Sequence, residues 1–379
     1  MSDAVEIVVD GIIYELQSQG GISRIFREVL PGICDIDPGI QVTLLTQGRL
    51  AQGLPAHPRI LSRPIVPFME KYKGSFVSPI LRWAARKFVS AVGFKGKKIW
   101  HSTYYTLPLN WSGPTVITVA DMVHEKFPRL FKGGPDDQFR ARKRRCIERA
   151  DAVICISQTT KEDIQQLYGI KRLNLHVVPL ACSDIFKELS QKELSSGAPV
   201  DGPFLLYVGG RAHYKNFETL IEAYGRWPKH KDISLVAVGS PWSEEETKKL
   251  SRSGLLERVH VMSGVDDRAL CCLYNRALAF VYPSLYEGFG IPLLEAMACG
   301  CPVVASRIPS TIEIAGKHPI YFDPVQTDEL TRALDQAVAE GRESRRTLEG
   351  LEWSRTYSWA KTAAGTLDVY RNLLQERVS

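Results

Sequence analysis

The sequence predicts an α/β protein made of two doubly wound, parallel-sheet units. Three observations predict it. Short β-branched runs alternate with helical patterns from end to end, the arrangement required by parallel strands joined by crossover helices. One polar stretch with Ser, Gly and Pro, residues 187–202 (KELSQKELSSGAPVDG), interrupts that alternation and reads as a linker. The 379 residues suffice for two domains at roughly 100 to 200 residues each. The domains are therefore expected over 1–186 and 203–358.

In the first half the expected strands are Val5–Val9, Val42–Thr46, Ile99–His101, Thr115–Val119, Ala152–Ile156 and His176–Pro179. Helical periodicity lies between them at Ile22–Cys34, Phe139–Ala150 and Thr160–Tyr168. After the linker come strands Phe204–Val208, Ile233–Val238, Val259–Met262, Leu278–Tyr282, Pro302–Ala305 and Ile320–Phe322, with helices Phe217–Trp227, Asp267–Asn275 and Pro292–Cys299. The last segment is an amphipathic helix carrying Trp359, Ala363, Leu367, Tyr370 and Leu374 at helical spacing. Nothing ties it to the second domain, and residues 359–379 are expected to pack back on the first. Ligands of open α/β sheets bind at the carboxyl ends of the strands, so the active site is expected in a central cleft faced by both domains.

Composition narrows the class. Hydrophobic residues make up 44% and charged residues 24%, close to a soluble globular average. No run reaches the roughly 18 apolar residues of a membrane span, and the start, MSDAVEIVVDG, carries Asp3 and Glu6 where a secretory leader is basic. A cytosolic protein is expected. The eight cysteines read as small buried hydrophobes rather than a metal set, since no second Cys or His pair follows Cys299 and Cys301 at ligand spacing.

The net charge of +6 is uneven: residues 1–180 hold 25 Lys/Arg against 16 Asp/Glu, and the remainder 23 against 26. Lys71, Lys73, Arg82, Arg86, Lys87, Lys95, Lys97 and Lys98 form a stripe interleaved with Phe76, Ile80, Leu81, Trp83 and Phe88. It reads either as a helix resting on an anionic membrane surface over 71–98 or as a core helix with a solvated basic face. RARKRRCIER (Arg140–Arg149) lacks interleaved aromatics, so nucleic acid is not an expected partner and a solvated or membrane-facing helix side is.

The chemistry concentrates in VYPSLYEGFGIPLLEAMACGCPVVAS (Val281–Ser306), which reads as strand, glycine-rich loop, helix, turn and strand. Pro292 suits a first helical turn, so the helix opens near Ile291. Glu287 lies just before it and Glu295 one turn in, eight positions apart, where unpaired N–H groups and the dipole favour an anion. Gly288 and Gly290 let a phosphate approach the backbone. Glu295 sits amid Leu293, Leu294, Ala296 and Met297, on a helix so apolar that a buried acid there needs a partner. In LLYVGGRAHYKN (Leu205–Asn216), Arg211 and Lys215 follow a strand and a Gly-Gly turn and are placed to neutralise a diphosphate.

These motifs resemble the retaining GT-B glycosyltransferases, specifically family 4, which includes bacterial mannosyl- and other hexosyltransferases of surface polysaccharide assembly. The resemblance is strongest in YVGGRAHYKNFETLIEAY and YPSLYEGFGIPLLEAMACGCPVVAS. It implies a GT-B fold of two Rossmann-like domains, with an acceptor-binding N-terminal domain and a donor-binding C-terminal one. It implies that Arg211 and Lys215 hold the donor diphosphate and that Glu295 takes the ribose hydroxyls. Glu287 would bind the transferred sugar, with the amides around Gly288, Phe289, Gly290 and Ile291 facing sugar and phosphate. The base would lie near Ser263, Gly264 and Val265. Gly20 and Gly21, in QGGISR, would close over the donor phosphate from the other domain.

ITVADMVHEKFP places Asp121 and His124 after a buried strand, and IWHSTYY places His101 and Tyr104 after another. Titratable groups at strand ends are candidates for acid–base or orienting work; the alternatives are that Asp121 caps a turn and that His101 is a satisfied core histidine. Many relatives carry His immediately before this Asp, where this chain has Ala120. Because Glu287 and Glu295 already have binding roles, same-face attack is favoured over a covalent nucleophile, with the cations and the helix start stabilising the leaving diphosphate. No acidic pair has metal-ligand spacing at a strand end, and the resemblance implies metal independence, so neither metal nor cofactor is expected. The expected activity is transfer of a hexose from a nucleotide diphosphate sugar, GDP-mannose before UDP-sugars, to a saccharide or lipid-linked acceptor. The rivals are a nucleotide-sugar epimerase of the same fold and a sugar-binding protein without catalysis.

Overall fold

The computed structural model describes residues 5–17, 20–46, 50–64, 97–108, 111–131, 133–170, 174–194 and 200–376. The basic stripe is thus mostly outside the described residues; of it only Lys97 and Lys98 are seen, in a strand, with the Lys98 ammonium 4.7 Å from the centre of the Trp111 ring.

The chain divides into two compact units, residues 1–180 with 359–379, and residues 181–358. In the first, β1 (Val5–Val9), α1 (Ile13–Leu16), α2 (Gly21–Ile36), β2 (Ile40–Thr46), β3 (Ile60–Pro64), β4 (Lys97–Ser102) and β5 (Thr115–Val119) are followed by α3 (Val123–Lys126), α4 (Gly134–Arg149), β6 (Ala152–Cys155), α5 (Gln158–Tyr168) and β7 (Leu175–Val177). In the second come α6 (Gln191–Leu194), β8 (Phe204–Val208), α7 (Phe217–Arg226), β9 (Ser234–Val238), α8 (Glu244–Arg252), β10 (Val259–Met262), α9 (Asp267–Arg276) and β11 (Ala279–Tyr282). They continue with α10 (Ile291–Ala298), β12 (Val303–Ser306), α11 (Pro309–Ala315), β13 (Ile320–Phe322), α12 (Thr327–Glu340) and α13 (Arg345–Ser354). The last helix, α14 (Trp359–Glu376), belongs to the first unit and packs on α2.

Each unit has one parallel sheet, ordered β3-β2-β1-β4-β5-β6-β7 and β10-β9-β8-β11-β12-β13. In both, the order reverses beside the first strand, the topology of a Rossmann-like fold. The central strands, such as β8 and β11, are apolar on both faces because helices cover both. In the second unit Leu205, Tyr207, Leu235, Ala237 and Val281 pack against α7 and α12, while their neighbours Leu206, Val236, Phe280 and Tyr282 pack against α9 and α10. Fully burying each such side chain contributes about 1.5–3 kcal/mol.

The boundary at Leu180 falls ahead of the expected end at 186. Phe186 explains it: its ring meets Tyr274 edge-on at 5.9 Å and joins the core of the second unit. The stretch expected to be a linker carries the single turn α6 and is otherwise described only in part. Strand β3, absent from the sequence reading, pairs with β2 alone, and Leu61, Ser62 and Arg63 are exposed. Among the described residues no helix is long and apolar enough to cross a membrane.

His101 is a core residue of the first unit, not an acceptor-side group. It is 1% exposed, with Nδ1 2.5 Å from the Tyr370 hydroxyl on α14 and Nε2 2.8 Å from the Thr118 hydroxyl on β5. Phe26 of α2 meets its ring edge-on at 5.1 Å. Burial lowers its pKa to about 3 from 6.5. Between those values the unfolded chain binds a proton that the folded chain does not, so stability is full above pH 6.5 and falls as the pH drops toward 3. Acid titration of the unfolding midpoint should show that slope in the wild type and a shallower one in His101→Asn; equal slopes would refute the assignment.

Candidate active site

In the second unit β11 is buried throughout and runs into the loop 283–290, from which α10 opens at Ile291. Gly290 makes that junction possible: its φ is +119°, and a Cβ there would lie 2.9 Å from the Leu293 Cδ1. Phe289 is buried and meets Tyr357 edge-on at 6.1 Å.

Glu287 and Lys215 meet here. The Lys215 ammonium donates to both Glu287 oxygens at 2.7 and 3.0 Å, and the Ser284 hydroxyl donates to Oε1 at 2.6 Å. The side chains are 21% and 11% exposed, respectively, so the pair is neither solvated nor sealed. Burial, and then Glu287, push the Tyr282 hydroxyl far above its ordinary pKa, which keeps it a donor beside the carboxylate.

Three bonds that sequence reasoning missed hold the loops carrying this pair. The Leu285 amide donates to the Tyr214 carbonyl at 2.8 Å. Asn216, in the left-handed region at φ 57°, donates from its side-chain amide to the carbonyls of Pro283 (3.0 Å) and Pro324 (2.8 Å). The only sequence signal for it is its place directly after Lys215 at a helix start, where Asn is a favoured cap residue.

Glu295 is 4% exposed and accepts a hydrogen bond from Tyr274 of α9 at 3.1 Å. Burial first and Glu295 second hold the Tyr274 hydroxyl protonated. Arg211 pairs with a different carboxylate from Lys215. Its Nε and Nη2 donate to the two oxygens of Glu246 at 2.5 and 3.2 Å, its Nη1 and Nη2 to the carbonyls of Ser240 and Pro241 at 2.9 Å each, and its guanidinium lies 4.5 Å from the Trp242 ring centre. Val265 is partly buried against the core, and in the same loop the Ser263 hydroxyl donates to the Gly239 carbonyl at 2.8 Å.

In the first unit Gly21 opens α2, with exposed Gly20 as its cap residue and the Ser23 hydroxyl donating to the Gly20 carbonyl at 3.0 Å; Gln19 lies outside the described residues. Asp121, His124 and Tyr104 fall in one cluster. The Asp121 carboxylate accepts from the Val123 amide at 3.0 Å, turning the chain into α3. The His124 ring lies 4.2 Å from Phe131 and 4.6 Å from Phe139, and Tyr104 lies 5.4 Å from Phe139. Burial lowers the His124 pKa, with Asp121 opposing; burial and then Asp121 raise that of Tyr104.

Two more polar residues organise these strand ends. Asp10, 1% exposed, accepts from the Ser102 hydroxyl at 3.0 Å, the Thr103 amide at 2.9 Å and the Thr103 and Thr106 hydroxyls, tying β1 to β4. Lys143, 1% exposed, donates to the Asp121 carbonyl at 2.7 Å and to Glu125 at 2.9 Å. Of the basic stretch expected to form a solvated or membrane-facing helix side, Lys143 is the exception: with Cys146 and Ile147 it belongs to the buried face of α4, at the i, i+3, i+4 spacing that could have revealed it.

Two Rossmann-like sheets, with an acid–lysine pair at the foot of a buried helix in the second, are the architecture of the GT-B class. A model described as Glycosyltransferase Family 4 matches residues 19–182, and one described as Glycosyl transferases group 1 matches residues 190–349. Each model takes in less than half of the chain, and together they make it similar to the glycosyltransferases of family 4. O-antigen chain mannosyltransferase B of Escherichia coli is 29% identical over 63% of this chain and 66% of its own length. The serotype-specific mannosyltransferase WbdA of the same organism is 28% identical over 73% of this chain, but that match takes in only 36% of WbdA. In fold the chain is similar to sucrose-phosphate synthase of Thermosynechococcus elongatus, with a TM-score of 0.76, 19% identity and coverage of 98% and 99%.

Proposed function

We propose that the protein is a retaining, metal-independent hexosyltransferase that moves mannose from GDP-mannose to a saccharide or lipid-linked acceptor in surface polysaccharide assembly. The observation that carries the donor reading is the Lys215–Glu287 pair at 2.7 Å where α10 begins. A diphosphate is a group to which both a lysine and the free N–H groups of a helix start are matched, and a carboxylate one loop away accepts from sugar hydroxyls. The names of the E. coli relatives support mannose as the transferred sugar.

In this reading Glu287 orients the sugar, Glu295 takes the ribose hydroxyls, and the loop of Val265 borders the base. Lys215 and the α10 amides stabilise the charge that grows on the leaving diphosphate, whose oxygen accepts the proton of the attacking hydroxyl on the same face. Asp121, His124 and Tyr104 in the first unit orient the acceptor. We place the enzyme in the cytosol, resting at the inner membrane through residues 71–98. Purified protein given GDP-mannose and a mannose-terminated acceptor should yield an α-linked product by NMR, with the rate unchanged by a chelator. A β-linked product, or activity lost to chelator and restored by a divalent ion, would overturn the mechanism; turnover of donor alone to an epimerised nucleotide sugar would overturn the activity.

A further inference from the structure

The turn that carries Lys215 is short, and its two ends are held by side chains that touch different neighbours. At one end the four donor contacts of Arg211 go to Glu246, Ser240 and Pro241, so the guanidinium is spent on the loop after β9 and the first turn of α8. Glu246 is itself fixed, because it closes a capping box with Ser243: the Ser243 amide donates to it at 2.8 Å and the Glu246 amide donates to the Ser243 hydroxyl at 3.2 Å. The two loops are in close contact there. A Cβ on Gly239 would lie 2.6 Å from the Gly209 carbonyl oxygen and 3.3 Å from the Arg211 Nη1. At the other end Asn216 ties the turn to the loops of Pro283 and Pro324.

We infer that Arg211 is a positioning residue: through Glu246 it braces the loop after β8 and so sets the Lys215 ammonium, rather than touching the donor diphosphate itself. Its consequence for catalysis rests on the donor reading above, whereas its geometry does not. An Arg held in a bidentate pair has its hydrogen-bonding fork already filled, and a ligand would have to displace four bonds and a ring contact to claim it. Lys215, a few residues on, faces a carboxylate of its own, Glu287, at 2.7 Å, and is the cation that the donor reading assigns to phosphate.

The test uses the full-length protein, with calorimetric binding of GDP and UDP against GMP and UMP, and hydrogen exchange of the amides of residues 209–216 without nucleotide. Arg211→Ala and Glu246→Ala should each weaken the diphosphates about tenfold, the scale on which a misplaced binding group acts. The double variant should be no weaker than the poorer single one, as expected for two groups acting as a unit. Glu246→Gln, which keeps an acceptor toward the guanidinium, should fall between wild type and Glu246→Ala. Exchange of 209–216 should rise in the same order. If Glu246→Ala binds diphosphates like wild type while Arg211→Ala loses diphosphate but not monophosphate affinity, Arg211 touches phosphate and the inference is wrong. Unchanged exchange in both variants would refute it as well. Should the wild type bind no nucleoside diphosphate, the donor reading fails instead, and the exchange measurement still decides the brace.

Discussion

Lys215→Ala is expected to lower kcat for sugar transfer by about a hundredfold to a thousandfold, the range for losing one donor aimed at developing negative charge. Lys215 donates to Glu287, in the loop before α10, at 2.7 and 3.0 Å, so in the proposed reading its removal takes away a full charge from the leaving-group side. It also strips the cationic partner from a carboxylate that is only 11% exposed, leaving it the Ser284 hydroxyl. Breaking a buried pair by deleting one member costs about 3–5 kcal/mol, and this half-open pair should cost less, so part of any activity loss could come from a loosened site. The double variant Lys215→Ala/Glu287→Gln separates the two effects. It removes the orphaned charge and should recover most of the unfolding midpoint, while kcat stays low. Steady-state kinetics and thermal unfolding on the same preparations read both. A Lys215→Ala enzyme with wild-type kcat at saturating donor would remove Lys215 from the chemistry.

The sheets were legible because a strand buried on both faces must be apolar at every position, and Phe204–Val208 and Ala279–Tyr282 carry that pattern in so few residues that no helix competes. Strand β3 was not, since an edge strand with Leu61, Ser62 and Arg63 exposed has no burial to write into its sequence. The site divides in the same way. The loop before α10 announces itself through glycine, proline and acid at fixed offsets, all set by local backbone geometry. What a long polar side chain does at a strand end is decided by residues distant in sequence. His101 looked able to face a ligand, but its partner Tyr370 arrives 269 positions later on α14. Arg211 points to Glu246, 35 positions on, and Asn216 to Pro324, 108 positions on. Each of these pairings exists only once the strand order is fixed.

Glu295→Gln is expected to weaken nucleoside diphosphates about tenfold to a hundredfold, because hydrogen bonds to a charged acceptor contribute about 1.5–3 kcal/mol each. The carboxylate is 4% exposed inside an apolar helix and accepts from Tyr274 at 3.1 Å. A buried acid kept there is costly unless it is bonded, and two oxygens leave room for more than one donor. If the further donors come from a ribose, the loss must depend on the sugar of the nucleotide and not on its base. Wild-type protein should therefore bind GDP more tightly than 2′,3′-dideoxy-GDP, and Glu295→Gln should bind the two almost alike. Tyr274→Phe offers the opposite control: it removes a donor but keeps the charge, so the preference for the ribose should survive. A purely structural Glu295 would lower affinity for both nucleotides by the same factor in parallel with the unfolding midpoint. Retention of the full ribose preference in Glu295→Gln would take the second acid out of the donor site, leaving Lys215 and Glu287 to hold the diphosphate sugar without it.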